Sequence, residues 1–121
     1  MLDEIGIVHG GMSTEGKDVL IVLVTAPNAT EAALICRESV QARLAACATS
    51  LGSVHSTYWW EGKLTEDEEV LLILKTTAAK FSGLQEMIRK LHSYKVPEII
   101  AVPVVRGLTQ YIEWVQKETF L

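Results

Sequence analysis

Cys47 and His92 are the side chains of this 121-residue chain best suited to hold a soft metal ion. A thiolate and an imidazole together favour copper or zinc over the hard cations that oxygen ligands take. No Cys-x-x-Cys and no His-x-x-x-His surrounds either residue, so a dedicated metal site within one chain is not expected. Each also has a plainer reading. Cys47 stands among Ala45, Ala46 and Ala48, the setting of a small buried hydrophobe. His92 closes a predicted amphipathic helix, where an imidazolium complements the negative end of the helix dipole. His55 falls on a predicted surface strand and His9 in a Gly-rich N-terminal stretch.

A second group needs no metal. Lys75 ends an apolar run, Tyr94 and Glu98 flank a turn at Pro97, and Trp60 with Glu61 lies at the tip of a predicted hairpin. Apolar clefts carrying a few charged groups are ordinary small-ligand sites. Catalysis finds no support. The Ser/His/Asp and Cys/His sets that can be assembled lack motif context. Gly10-Gly11 opens no helix after a strand, so no phosphate loop is present. No catalytic residue is assigned and an enzyme is not expected.

The elements that must position these residues follow from periodicity and punctuation. Val19 to Val24 is β-branched without polar alternation, a strand covered on both faces. Asn28 with Glu31 makes a capping box, and Ala33, Cys36, Val40 and Leu44 form the apolar stripe of the helix behind it. From Ala45 an extended arm runs to Trp60, bent near Gly52, and Glu61-Gly62-Lys63 turns it into a second arm ending near Thr76. The acidic run Glu66-Asp67-Glu68-Glu69 reads as a solvated shoulder of that hairpin. A second helix carries Phe81, Leu84, Ile88 and Leu91. Ile99 to Val105 is the last strand, with Pro103 placing it at an edge or bulge, and a short helix from Gln110 to Glu118 closes the chain. The order β-α-β-β-α-β predicts an α+β, ferredoxin-like sandwich with a long β2-β3 hairpin. Its three apolar strands are not polar on alternate residues, which predicts that other copies of the chain bury the second sheet face.

Size and composition bound the rest. One domain is expected over residues 18–121, behind a flexible N-terminal tail, residues 1–17, in which Met12 offers an alternative start. A chain of this length builds a core without metal or disulfide staples, so no cofactor is required for folding. Its net charge of −4 opposes nucleic-acid binding, which needs a clustered basic surface. No apolar run approaches the ~18 residues of a membrane span, and Asp3 and Glu4 do not suit a secretory signal. Two cysteines without framework spacing fit a reducing, cytoplasmic setting.

Five short motifs recur here in one order: Thr25-Ala26-Pro27, Arg43-Leu44-Ala45-Ala46-Cys47, Tyr58-Trp59-Trp60-Glu61-Gly62-Lys63, Leu74-Lys75-Thr76-Thr77, and Tyr94-Lys95-Val96-Pro97-Glu98-Ile99. In that order they resemble the divalent-cation tolerance protein CutA family, over roughly Asp18 to Trp114. The resemblance implies a homotrimer whose sheets face inward and whose long hairpins pair across subunits. It implies a role in tolerance of divalent metal ions, copper foremost. Of the metal-linked family positions, Val24 and Leu91 stand where a cysteine and a histidine are associated with metal, leaving His92, with Cys47 as a second soft donor. It also implies that Trp60, Lys75, Tyr94 and Glu98 converge in a cleft between subunits, either as a ligand site or as an interfacial Lys75–Glu98 ion pair packed by aromatics. Two alternatives to metal tolerance stand beside it: a trimeric signalling or adaptor protein binding a small anionic ligand or partner loop, and a structural assembly module.

Overall fold

The β-branched run from Val19 needs partners on both edges, and in the computed structural model, which describes residues 16–120, it has them. Strand β1, Val19–Ala26, pairs antiparallel with β3, Lys63–Thr77, on one side and with β4, Ile99–Pro103, on the other. Strand β2, Cys47–Trp60, pairs antiparallel with β3 and completes the sheet in the order β2-β3-β1-β4. Helices α1, Ala29–Gln41, and α2, Ala78–Leu91, connect the strands, and α3, Thr109–Glu118, follows β4. This is the expected ferredoxin-like order. All but the last two residues of the expected tail, residues 1–17, lie outside the described residues.

Val22, Val24, Leu72 and Leu74 project from one sheet face onto Ile35 of α1 and Leu84 and Ile88 of α2, all fully buried. The segment that follows α1 presses on α2 at Gly83, where a Cβ would meet Leu44 Cδ2 at 2.9 Å. The buried stripe of α1 is rotated from the expected one. Ala32, Ile35 and Ser39 are buried, Cys36 and Val40 are half-buried, and Ala33 is exposed. The polar Ser39 disguises that face in the sequence. The capping box is half formed: Asn28 Oδ1 accepts from the Glu31 amide at 2.9 Å, but the Glu31 carboxylate turns to Ser93 instead of returning to the cap.

The hairpin forms as its turn residues require. Glu61 and Gly62 both adopt positive φ, 50° and 79°, and Trp60 pairs directly with Lys63, a two-residue turn whose twist matches the strands. The bend expected near Gly52 is a β-bulge, with the register shifting between Leu51 and Ser53. Alternation therefore changes phase. Cys47, Thr49 and Leu51 before the bulge, and Val54, Ser56, Tyr58 and Trp60 after it, share the face turned away from α1 and α2. Helix α3 covers one end of that second face, with Val115 packed on Val19 and Ala46. The remainder is apolar and open: Leu51, Ile100 and Val102 are 43%, 52% and 45% exposed.

The rotated stripe has a measurable consequence. By denaturant unfolding, Ile35→Ala should lower stability by about 3 kcal/mol through cavity formation, whereas Ala33→Gln should stay within about 0.5 kcal/mol. Equal losses at the two positions would return the stripe to its expected phase.

Candidate functional site

β3 is longer than β1. Their pairing ends at Ala26↔Val70, and β3 with β2 continues beyond it as the free hairpin. In the notch beside the end of β1 lies a cleft of about 750 Å³, walled by Thr25, by Tyr58 and Trp60 of β2, by Glu69 of β3, and by Tyr94, Lys95 and Glu98 from the loop between α2 and β4. That loop is held from below by His92. Its Nε2–H donates to the Thr25 carbonyl at 2.7 Å, and its Nδ1 accepts the Tyr94 amide at 3.0 Å, which selects the Nε2–H tautomer. Glu31 accepts from the Ser93 amide and hydroxyl at 3.1 and 3.2 Å, tying the same loop to α1.

The polar groups of the cleft are phenols paired with carboxylates. The Tyr94 hydroxyl donates to Glu69 Oε2 at 3.0 Å, and the Tyr58 hydroxyl donates to Asp67. The bond to Asp67, with desolvation and the neighbouring carboxylate charges behind it, pushes the Tyr58 phenol from 10.0 up to about 12. Burial, then the bond to Glu69, raises Tyr94 as well. Both phenols are thus fixed as neutral donors. The acidic run is only half solvated: Glu66 and Glu68 are exposed, Asp67 is half-buried and Glu69 is buried, because alternate residues face the cleft.

Of the four residues that the resemblance groups between subunits, Trp60, Tyr94 and Glu98 line this cleft of the single chain. Lys75 does not. It lies toward the other end of the second face, opposite Cys47 in the β2–β3 register, with its ammonium 5.7 Å from the Tyr111 ring centroid. A Lys75–Glu98 pair is not formed within the chain. Tyr58, Glu69 and Thr25 were not legible as cleft residues. The signal for the first two was strand alternation counted from Gly52.

The Cys47/His92 metal pair is not assembled within the chain. Cys47 registers through Lys75 to Ile21, whereas His92 bonds to Thr25, four residues further along β1, a separation on the order of 13 Å. The His92 side chain is fully enclosed with both ring nitrogens engaged, so it locks a loop rather than complementing a solvated helix end. Cys47 is half-buried, with Sγ 3.7 Å from the Tyr111 hydroxyl. Among the described residues no three His, Cys, Asp or Glu side chains cluster as a metal would need. No helix among them is long and apolar enough to cross a membrane.

A phenol held neutral by the fold contributes stability that is complete below its ordinary value of 10.0 and is lost as pH rises through its folded value of about 12. Unfolding free energy should therefore fall between these two values, and Tyr58→Phe should flatten part of that fall. An unchanged slope in the variant would show that Tyr58 is not held neutral by Asp67.

The CutA1 divalent ion tolerance protein family model matches residues 20–118. The divalent-cation tolerance protein CutA of Thermus thermophilus is 40% identical over 99 residues, covering 82% of this chain and 96% of that protein. Human protein CutA is 41% identical over 114 residues, 94% of this chain, which spans only 60% of the human protein's length. The crystal structure of CutA from Xylella fastidiosa superposes with a TM-score of 0.82 at 40% identity, covering 84% of this chain and 98% of that one. On this match in sequence and fold, the chain belongs to the CutA1 divalent ion tolerance family.

Proposed function

We propose that this chain serves divalent-cation tolerance as a homotrimer, with copper the leading ion. The observation that carries the assembly is the open second face of the sheet. Leu51, Ile100 and Val102 lie exposed on it, and Trp59 at the hairpin tip is 72% exposed. Contiguous apolar surface of this kind marks an interaction site, and an uncovered edge strand as long as β2 invites pairing. The number three rests on the family resemblance.

Separation of Cys47 from His92 within one chain supports loose rather than resident copper binding. A small anion as ligand is disfavoured, because Glu69 and Glu98 line the cleft against one lysine, Lys95. Two free cysteines, Cys36 and Cys47, accord with a reducing, cytoplasmic location.

Light scattering should report the mass of three chains, unchanged by modest dilution, and paired Ile100→Glu and Val102→Glu substitutions should shift it to smaller species. A folded monomer for the parent protein would overturn the assembly. In calorimetric copper titration, Cys47→Ser should change affinity by less than tenfold, about 1.4 kcal/mol. A larger loss would make the thiol a ligand.

A further inference from the structure

Glu69 and Lys75 stand on one strand and on one face of it. Leu72 and Leu74 of β3 turn toward α1 and α2, so Glu69, Leu71, Ile73 and Lys75 point the other way. The length of strand between them sets the two charges on the order of 20 Å apart. Leu71 and Ile73 lie half-buried between them, and Leu51 pairs with Leu71 from β2. The second face is thus an apolar strip with a carboxylate at one end and an ammonium at the other. Within the chain the two do not meet, and among the described residues neither forms an ion pair. Glu69 is 6% exposed and accepts one hydrogen bond, at Oε2, from the neutral phenol of Tyr94. Lys75 is half-buried, its ammonium 5.7 Å from the ring centroid of Tyr111.

We propose that the partner subunit's Lys75 is the counter-charge of Glu69, and that this pair sets the sense in which second faces meet. The pair presupposes the assembly proposed above and makes each copy supply a charge that the other lacks. Covering the apolar strip takes the remaining water from both ends, and a charge stripped of water without a partner is costly. Copies meeting head to tail bring opposite signs together. Copies meeting in the same sense would set Lys75 against Lys75 and Glu69 against Glu69, and like charges at low dielectric reject that arrangement.

The neighbouring carboxylates are less suited to the role. Asp67 already accepts from the Tyr58 hydroxyl, and Glu98 stands exposed on its loop, so neither is as far from water as Glu69. Tyr94 holds Oε2 of Glu69 and leaves Oε1 to an incoming N–H donor, of which an ammonium carries three. Tyr111 steadies the ammonium from α3, since an aromatic face attracts a cation without neutralising it.

The test is a double-mutant cycle on assembly. The full chain is diluted in the guanidinium chloride concentration that brings dissociation of the parent into range, with mass read by light scattering and fold by circular dichroism. Glu69→Gln and Lys75→Met should each raise the chain concentration of half-dissociation by at least about tenfold. The double variant should raise it by less than the product of the two, because removing both members leaves no charge unpaired. An equal mixture of the single variants should assemble more tightly than either alone, for the intact Lys75 of one then meets the intact Glu69 of the other. Should Glu69→Gln fail to fold, Lys75→Glu carries the test: facing a carboxylate, it should dissociate more readily than Lys75→Met. Independent effects of the two substitutions, no gain on mixing, or equal behaviour of Lys75→Glu and Lys75→Met would overturn the pair. So would coupling of Lys75→Met to Glu98→Gln instead of to Glu69→Gln. A folded parent monomer overturns the assembly and the pair with it, whereas an assembled parent with uncoupled variants overturns the pair alone.

Discussion

The pairing of β1 with β3 is the constraint on which the other elements depend. Over their paired residues both strands are mainly apolar on both sides, so the sheet must be covered twice. On one side α1 and α2 meet Val22, Val24, Leu72 and Leu74. On the other, α3 covers one end and leaves the rest open. The same pairing is also unequal in length, eight residues against fifteen. Where β1 stops, β3 continues with β2 alone, and the step between them is the notch that becomes the cleft. Glu69 is the first residue of β3 beyond the last β1 pair, which is why a charged residue can stand there at the border of an apolar strand.

The step would be a shallow groove without the loop that crosses it. Leaving α2, the chain could follow many paths to β4, and His92 selects one by bonding to β1 with one nitrogen and to its own loop with the other. Glu31 ties the loop from the α1 side. An imidazole spent in this way is worth more as a brace than as a ligand, because an orphaned buried nitrogen or amide would have to be left behind if the ring turned to a metal. Tyr94 then presents its hydroxyl to Glu69 from a backbone that is fixed at its own amide.

The sequence is legible wherever the physics is local. Asn28 caps, Gly62 turns, Pro103 occupies an edge strand, and continuous apolar runs make the central strands. Three features are hidden from local pattern. The phase of α1 is masked because Ser39 is buried with no hydrogen-bond partner for its hydroxyl among the described residues, an arrangement that no pattern of apolar residues announces. Glu69 is masked by its charged neighbours, since a run of four acids hides which two point inward. The bracing role of His92 is masked because its partner, Thr25, is 67 residues away. The resemblance groups Trp60, Lys75, Tyr94 and Glu98 between subunits; within the single chain Trp60, Tyr94 and Glu98 line one cleft and Lys75 lies elsewhere on the sheet.

The bulge at Gly52 sets a counting rule for the hairpin. Upstream of it, β2 keeps step with the core; downstream, the same strand keeps step with the cleft, and one unpaired residue reconciles the two. Lineages are therefore free to lengthen the tip beyond Trp60 without disturbing either. Between Gly52 and Trp60, paired arms can grow or shrink only by even numbers of residues on each side. A single-residue change there would hand the cleft the Trp59 side of the ribbon and turn Tyr58 out to solvent, so natural length variation in this arm should come in twos.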